Sequence, residues 1–209
     1  MAIRVLIYED NENLLKSIQT LLLFNNDFDV IAAMPDAVSV KDDIGVLKPD
    51  VVIMDIDMPH SNGVDAVTAI RTINNDLPVL MFTVFEDNEN IFNAICAGAN
   101  GYLLKKNFDQ IPASIKDVLD GGAPMTSSVA KKVLTFVPKN KSTPNEDVES
   151  LSAREKEILE YIVKGYSYKM IAAETNIAVE TVRSHVKKIY KKLQVNNATA
   201  AVYKFNQHN

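Results

Sequence analysis

The sequence predicts an α/β domain built on a five-stranded parallel sheet, followed by a small all-α domain. In residues 1–120 short β-branched runs alternate five times with amphipathic stretches, and the runs VVIM and VLMF are apolar at every position, as is typical of strands buried on both faces. After residue 150 the apolar residues recur only at helical spacing. Charge divides in the same way, since residues 1–120 carry a net −11 and residues 151–209 a net +5. An acidic first part and a basic second part indicate different binding partners.

The alternation predicts the α/β domain element by element. Strands are expected over residues 3–8, 28–33, 50–55, 79–83 and 101–104, and helices over residues 12–24, 37–47, 64–73, 90–97 and 110–120. Each βα unit needs a right-handed crossover, so the strands should lie parallel with helices on both faces of the sheet. The spacing favours a flavodoxin-like strand order 2-1-3-4-5, which opens a crevice between strands 1 and 3.

The rest of the chain predicts a linker and a helical domain. Gly-Gly-Ala-Pro at 121–124 ends the fifth helix, residues 127–136 predict a short helix, and the polar, proline-containing residues 138–150 predict a flexible linker. Ser152 with Glu155 predicts a capping box, and Ser167 and Asn197 predict further helix caps. Four short helices, two joined by a tight turn, are typical of a helix-turn-helix domain. We therefore predict an α/β domain over residues 1–122, a short helix and flexible linker over 123–150, and a helix-turn-helix domain over 151–209.

Polar side chains follow the predicted strands at the points where the strands end. Glu9 and Asp10 follow the first strand, Asp55 ends the third, Thr83 ends the fourth and Lys105 follows the fifth. Because the carboxyl ends of parallel strands share one edge of a sheet, we expect one pocket to contain all five side chains. A carboxylate can attack phosphorus and form an acyl phosphate, and Asp55 is the candidate nucleophile.

An attack by one anion on another requires charge neutralisation, which predicts a Mg²⁺ site. Mg²⁺ takes one or two carboxylates and keeps several waters. We assign it the carboxylates of Asp10 and Asp55, with Glu9 acting through water and Asp57 through its backbone carbonyl. Lys105 is expected to pair with the phosphoryl oxygens, and Thr83 to hydrogen-bond one of them.

Residues 1–120 resemble the receiver domain of two-component response regulators. The matching motifs are Glu9-Asp10, Asp55 with Met58-Pro59 and Gly63, Thr83-Val84, and Gly101-Tyr102-Leu103-Leu104-Lys105. The resemblance implies that Asp55 accepts a phosphoryl group from a cognate sensor histidine kinase or a small phosphodonor. It also implies that Thr83 and Tyr102 form a switch pair. Asp57 departs mildly from the pattern, and with Phe85 it is expected to influence the lifetime of the acyl phosphate.

A phosphatase is the alternative interpretation of the same residues. Asp55-Ile56-Asp57 also matches the DxD motif of haloacid-dehalogenase-like phosphatases, which need a further acidic pair after their lysine. Here the acidic pair precedes Asp55, and the only acid soon after Lys105 is Asp109. The phosphatase interpretation is therefore disfavoured, and we expect no enzymatic activity beyond the protein's own phosphorylation and dephosphorylation.

A basic helix is predicted after the tight turn. Val182, Val186, Ile189 and Leu193 form one apolar stripe, and the other faces carry Arg183, Ser184, Lys187, Lys188, Lys191 and Lys192. The helix would be roughly 22 Å long, enough to lie along a major groove. No acidic residue follows Glu180, so the concentrated positive charge predicts contacts with nucleic-acid phosphates.

Residues 151–205 resemble the LuxR-type helix-turn-helix of the NarL/FixJ class of regulators. The motifs that carry this include LSARE at 151–155, TVRSH at 181–185 and Lys192-Leu193. The resemblance implies that Arg183, Ser184 and Lys187 contact base edges of promoter DNA, while Thr181, His185 and Lys188 contact backbone phosphates. Packing of His185 against Tyr161 or Tyr166 is an equal alternative. The last helix is implied to be a homodimer contact, although core packing explains part of its apolar stripe.

Cysteine content and hydropathy bear on location. A single cysteine, Cys96, rules out an internal disulfide and a thiolate zinc site and fits a reducing cytoplasm. We expect Cys96 to be a buried structural thiol. The apolar start of the chain is too short for a signal peptide, and no apolar run approaches the ~20 residues of a membrane span. The sequence thus predicts a cytoplasmic protein without a membrane partner.

Overall fold

The computed structural model describes residues 2–136 and 150–208. The first part contains five βα units, in which each strand precedes one helix. The elements are β1 (Ile3–Tyr8), α1 (Glu12–Leu23), β2 (Phe28–Met34), α2 (Val40–Leu47), β3 (Val51–Met54), α3 (Gly63–Ile73), β4 (Val79–Thr83), α4 (Asn88–Ala97), β5 (Gly101–Leu104) and α5 (Ile111–Leu119).

The five strands form one parallel sheet in the order β2-β1-β3-β4-β5. The flavodoxin-like order predicted from the strand spacing is confirmed. One apolar layer packs α2, α3 and α4 against one face of the sheet, and a second packs α1 and α5 against the other. The fully apolar strands β3 and β4 lie at the centre, where both faces are buried.

Two short features escaped the sequence analysis. Two-residue strands, Asp57–Met58 and Ser61–Asn62, pair as a small hairpin between β3 and α3. A 3₁₀ helix, Lys105–Gln110, joins β5 to α5. Both are too short to produce a periodic pattern. Helix α2 begins at Val40, three residues later than predicted, because Ser39 precedes its first turn.

The expectation that Cys96 is buried is wrong. Cys96 is exposed, although it does lie in a helix, α4. The buried positions of this helix are Ile91, Ala94 and Ile95. Residues at spacings of three and four share one helix face, so the next position, Cys96, points away from the core.

The C-terminal part is entirely helical, as predicted. It contains α7 (Ala153–Val163), α8 (Tyr168–Thr175), α9 (Val179–Leu193) and α10 (Ala198–His208). The predicted capping box between Ser152 and Glu155 is present, and Ser167 caps α8. The tight turn between α8 and α9 includes Asn176 in the left-handed region, at φ 52°. The predicted apolar stripe of α9 is buried in the core of this domain.

A sixth helix of the first part, α6 (Ser127–Phe136), packs against α4. Phe136 meets Phe92 edge-on, with ring centroids 5.1 Å apart. Just before α6, Pro124 accepts a hydrogen bond from the backbone N–H of Tyr102. The predicted flexible linker, residues 138–150, falls almost entirely on residues 137–149, which lie outside the described residues. Among the residues that are described, no helix combines the length and apolarity needed to cross a membrane.

Candidate functional site

The five predicted polar side chains lie at one edge of the sheet. Asp55 is placed beside the end of β1 because its backbone N–H donates to the carbonyl of Tyr8 at 3.0 Å. Lys105 follows β5 and reaches across the edge to both acidic strand ends. Asp55 and Glu9 are buried, with 4% and 2% of their surface exposed. Strand order therefore brings together residues that are far apart in the chain.

Lys105 is the cation at the centre of this site. Its Nζ lies 2.6 Å from Asp55 Oδ2 and 2.9 Å from Glu9 Oε1. Burial lowers the pKa of Lys105, but hydrogen bonds and charges from Asp55 and Glu9 outweigh burial and raise it above its usual value. The other carboxylate oxygen of Asp55, Oδ1, accepts a hydrogen bond from the Ile56 N–H at 2.7 Å. Asp55 is thus oriented by the half-buried ammonium group of Lys105 and by the Ile56 N–H.

The acidic residues at this edge fit a hard divalent cation. Glu9, Asp10 and Asp55 each offer an oxygen, and these oxygens lie within 4.8 Å of one another. Glu9 Oε2 is buried and accepts no hydrogen bond from the described residues, although Lys105 Nζ lies 2.8 Å away. Burial raises the pKa of Glu9 despite the opposing effect of Lys105. A buried carboxylate oxygen that accepts no hydrogen bond from the described residues, beside two further carboxylates, matches the oxygen ligands that Mg²⁺ prefers. The side chain of Asp57 is exposed, outside this cluster.

Thr83 and Tyr102 lie on the neighbouring strands and are fully buried. Thr83 Oγ1 accepts a hydrogen bond from the Phe85 N–H at 3.4 Å. The Tyr102 ring points inward, and its hydroxyl donates to the Phe85 carbonyl at 3.0 Å. Burial raises the pKa of Tyr102, so the hydroxyl remains a donor at neutral pH. Both side chains thus bind the loop that links β4 to α4.

Further residues hold the same loop, and the sequence analysis did not identify them. Lys106 Nζ donates to the Glu86 carboxylate at 3.0 Å. Lys132, on α6, donates to the Glu86 backbone carbonyl, and Ser128 hydrogen-bonds the carboxylate. No periodic pattern links these positions, so the only sequence signal was that Lys106 adjoins Lys105.

Helix α9 presents its predicted DNA-contacting residues on the faces outside its buried stripe. Thr181, Ser184, Lys187 and Lys188 are exposed, whereas Arg183 and His185 are half-buried. The Ser184 hydroxyl donates to its own helix, at the Glu180 carbonyl. His185 Nδ1 is buried without a hydrogen-bond partner among the described residues.

The basic face of α9 is turned toward the amino-terminal ends of the sheet strands. Lys187 Nζ lies 2.9 Å from an Asp76 carboxylate oxygen. The Arg183 guanidinium lies 5.6 Å from the centre of the Tyr168 ring. A cleft of about 570 Å³ separates the two domains here, and Asp50 lies on its wall together with Arg183 and Lys187. Two of the three predicted base-contacting residues therefore face the receiver-like domain.

Two family models match the chain, one for each domain. The response regulator receiver domain matches residues 5–116, and the model of bacterial regulatory proteins of the luxR family matches residues 149–205. The chain is a response regulator with a LuxR-type DNA-binding domain. It is 33% identical to the response regulator protein VraR of Staphylococcus epidermidis over 213 residues, with 100% of this chain and 99% of VraR covered. VraR of Staphylococcus aureus is 34% identical over 215 residues, with the same coverage.

Solved structures agree with this assignment. The response regulator ChrA of a heme-sensing two-component system is 31% identical, with a TM-score of 0.54 and coverage of 99% of this chain and 97% of ChrA. RcsB of Salmonella typhimurium is 21% identical and covers 98% of both chains with a TM-score of 0.58, which supports the fold. These relatives are regulators, and nothing in the comparisons supports the phosphatase alternative.

Proposed function

We propose that this response regulator is a cytoplasmic transcription factor whose binding to promoter DNA is switched by phosphorylation of Asp55. The observation that carries the proposal is the contact of Lys105 with both Asp55 and Glu9 at the sheet edge. This contact supports the assignment of Asp55 as nucleophile and Lys105 as its cation, and the acidic cluster beside it supports the proposed metal site. A cognate sensor histidine kinase is the proposed phosphodonor, and a small acyl phosphate is a second one.

In the proposed transfer, an Asp55 carboxylate oxygen attacks phosphorus and the bond from phosphorus to the donor atom breaks. Glu9, Asp10, Asp55 and the backbone carbonyl of Asp57 would hold Mg²⁺, which neutralises phosphoryl charge when bound. Lys105 leaves its present contact with Asp55 Oδ2 and pairs with a phosphoryl oxygen. The Thr83 hydroxyl donates to another phosphoryl oxygen and gives up its contact with the Phe85 N–H. The Tyr102 ring stays in its inward position behind Thr83.

We further propose that Arg183, Ser184 and Lys187 contact base edges, and that Thr181, His185 and Lys188 contact backbone phosphates. The exposure of most of these residues on one side of α9 supports this, as does the net +5 of residues 151–209. A structural relative, RcsB, has been solved as dimers bound to DNA. We propose that this chain likewise binds DNA as a homodimer, through α10. Ala201 of this helix belongs to the domain core, while Val202 and Phe205 are only half-buried.

We infer that the domain arrangement described above is the resting form, in which the acidic receiver masks α9. The net −11 of residues 1–120 and the contact of Lys187 with Asp76 support masking. Both partners of that ion pair are more than half exposed, so it contributes only about 0–1 kcal/mol. The buried contacts between the domains must therefore supply most of the free energy of closure.

Incubation of the full-length protein with acetyl phosphate and Mg²⁺ tests the proposal. We expect a phosphorylated species on a phosphate-affinity gel, its absence in Asp55→Asn, and tighter binding of the phosphorylated form to duplex DNA. Asp65→Asn is the matched control, since Asp65 lies on α3 outside the acidic cluster. If neither acetyl phosphate nor any sensor kinase labels the wild-type protein, Asp55 is not a phosphoacceptor.

A further inference from the structure

Asn197 connects the DNA-binding domain to receiver helix α4. We propose that its side-chain amide acts as a switchable clasp, which closes the resting form and opens when α4 moves. The inference rests on the proposed function, because it assumes that phosphorylation releases α9. It goes further by assigning closure to a positioning residue outside both the phosphorylation site and the DNA-contacting surface.

The Asn197 amide is buried, with 1% of the residue exposed, and both its oxygen and its nitrogen form hydrogen bonds. Its Oδ1 accepts a hydrogen bond from the Ala200 N–H at 2.6 Å, which caps the start of α10. Its Nδ2 donates to the backbone carbonyls of Ile95 and Ala99, at 3.1 and 2.9 Å. We call these last two hydrogen bonds the α4 clasp. One side chain thus hydrogen-bonds the ends of two helices that belong to different domains: the start of α10 and the carboxyl end of α4.

The carboxyl end of α4 leaves carbonyls that need donors. The Ile95 carbonyl accepts from the Gly98 N–H at 3.0 Å as well as from Asn197, whereas the Ala99 carbonyl, just beyond the helix, accepts from Asn197. Arg71, on α3, satisfies the neighbouring Gly98 carbonyl from within the receiver, through Nε at 3.1 Å and Nη2 at 2.8 Å. The DNA-binding domain lies close to the carboxyl end of α4, since a Cβ added to Gly98 would lie 3.1 Å from the Cβ of Asn196. The Gly98 carbonyl keeps its donor, Arg71, in either arrangement, and the Ile95 carbonyl keeps the Gly98 N–H. The Ala99 carbonyl, in contrast, must turn to water when the domains separate.

The opposite end of α4 is tied to the phosphorylation site. Asp87 caps this end, and the loop before it begins at Thr83, which is expected to bind the phosphoryl group. The 10 residues of α4 form a rod of about 15 Å. Hydrogen bonds weaken steeply with distance and angle, so a displacement of about 1 Å along this rod is enough to break the clasp.

Three further polar contacts between the domains, within the described ranges 2–136 and 150–208, involve receiver residues outside α4. The Tyr168 N–H donates to the Asp120 carbonyl at 2.9 Å, Lys169 pairs with the Asp120 carboxylate, and Lys187 pairs with Asp76. Asp120 follows α5 and Asp76 precedes β4, so a shift of α4 leaves these contacts in place. The clasp is therefore a polar contact through which such a shift can act on the DNA-binding domain.

Two substitutions separate the clasp from the helix cap. Asn197→Asp and Asn197→Ser both keep an oxygen that caps α10, but neither offers the amide donors. The aspartate also places a negative charge at the negative end of α4. Gln194→Glu is the matched control, with the same change of charge at an exposed residue of the same domain. Each full-length variant is tested without phosphorylation and after activation by beryllofluoride, using a duplex selected from a random pool by the activated wild type.

We expect both Asn197 variants to bind the duplex more tightly than wild type in the resting state, by about 5- to 150-fold for two lost hydrogen bonds of ordinary strength. Their small-angle scattering should show separated domains, while their activated affinities and the Gln194→Glu control match wild type. If both variants have the DNA affinity and the compactness of the wild type in the resting state, the clasp proposal is wrong. If Asn197→Asp fails to fold, the result for Asn197→Ser alone tests the proposal. Failure of the wild type itself to respond to activation refutes the proposed function instead.

Discussion

Gly63 packs closely against the backbone of the candidate phosphoacceptor, Asp55. A Cβ added at Gly63 would lie 1.9 Å from the backbone oxygen of Asp55, and real Cβ atoms essentially never come within 3.0 Å of another heavy atom. Gly63→Ala must therefore push the two segments apart by at least 1.1 Å. The obstructing atoms are backbone, so no rotamer change relieves the clash. The same glycine also donates its N–H to the Ile56 carbonyl at 2.7 Å.

We expect Gly63→Ala to lower the free energy of unfolding by about 3 kcal/mol, the upper end of the range for overpacked sites. With a urea slope of about 2 kcal/mol per molar, the unfolding midpoint would fall by about 1.5 M. A displacement of about 1 Å at the nucleophile should also slow phosphorylation by acetyl phosphate roughly 100-fold. Urea titration and phosphate-affinity gels measure the two effects.

Gly45→Ala is the matched control, because it makes the same chemical change in open space. Gly45 lies in the exposed interior of α2, and an added Cβ would meet no atom within 4 Å. This variant should gain about 0.5–1 kcal/mol and be phosphorylated at the wild-type rate. A Gly63→Ala protein with the stability and phosphorylation rate of wild type would refute the packing argument.

Two further predictions concern the same pocket. Burial raises the pKa of Glu9 above its usual 4.5, so the folded protein binds this proton more tightly than the unfolded chain does. The associated stabilisation is full below pH 4.5 and is lost as pH rises through the raised pKa. Mg²⁺ needs the ionised carboxylate, so its affinity, measured by calorimetric titration, should increase over the same pH range; a flat profile would remove Glu9 from the site. Asp57→Asn should change the half-life of the acyl phosphate, because an exposed acid near the phosphoryl group adds negative charge, and equal half-lives would remove that role.

Local patterns explain why so much of the fold was predictable from the sequence. Strand order followed from the spacing of apolar runs, and the caps at Ser152, Ser167 and Asn197 depend on neighbours within three residues. The pocket was predictable because parallel strands place their carboxyl ends at one edge. Cys96 was misassigned because a single apolar residue does not reveal the rotational phase of its helix. The hairpin after Asp55 was missed because two-residue strands have no period.

The two folds, the residues at the sheet edge and the amphipathic character of α9 could be predicted from the chain, because each depends on periodicity or on strand ends. The contact of Lys105 with both Glu9 and Asp55, and the position of α9 against the receiver domain, became known from the folded protein. The same is true of Asn197, which contacts α4 as well as α10 through a hydrogen bond to a residue 98 positions away. Contacts of that kind depend on how two folded surfaces meet, and no local pattern in the chain encodes that geometry.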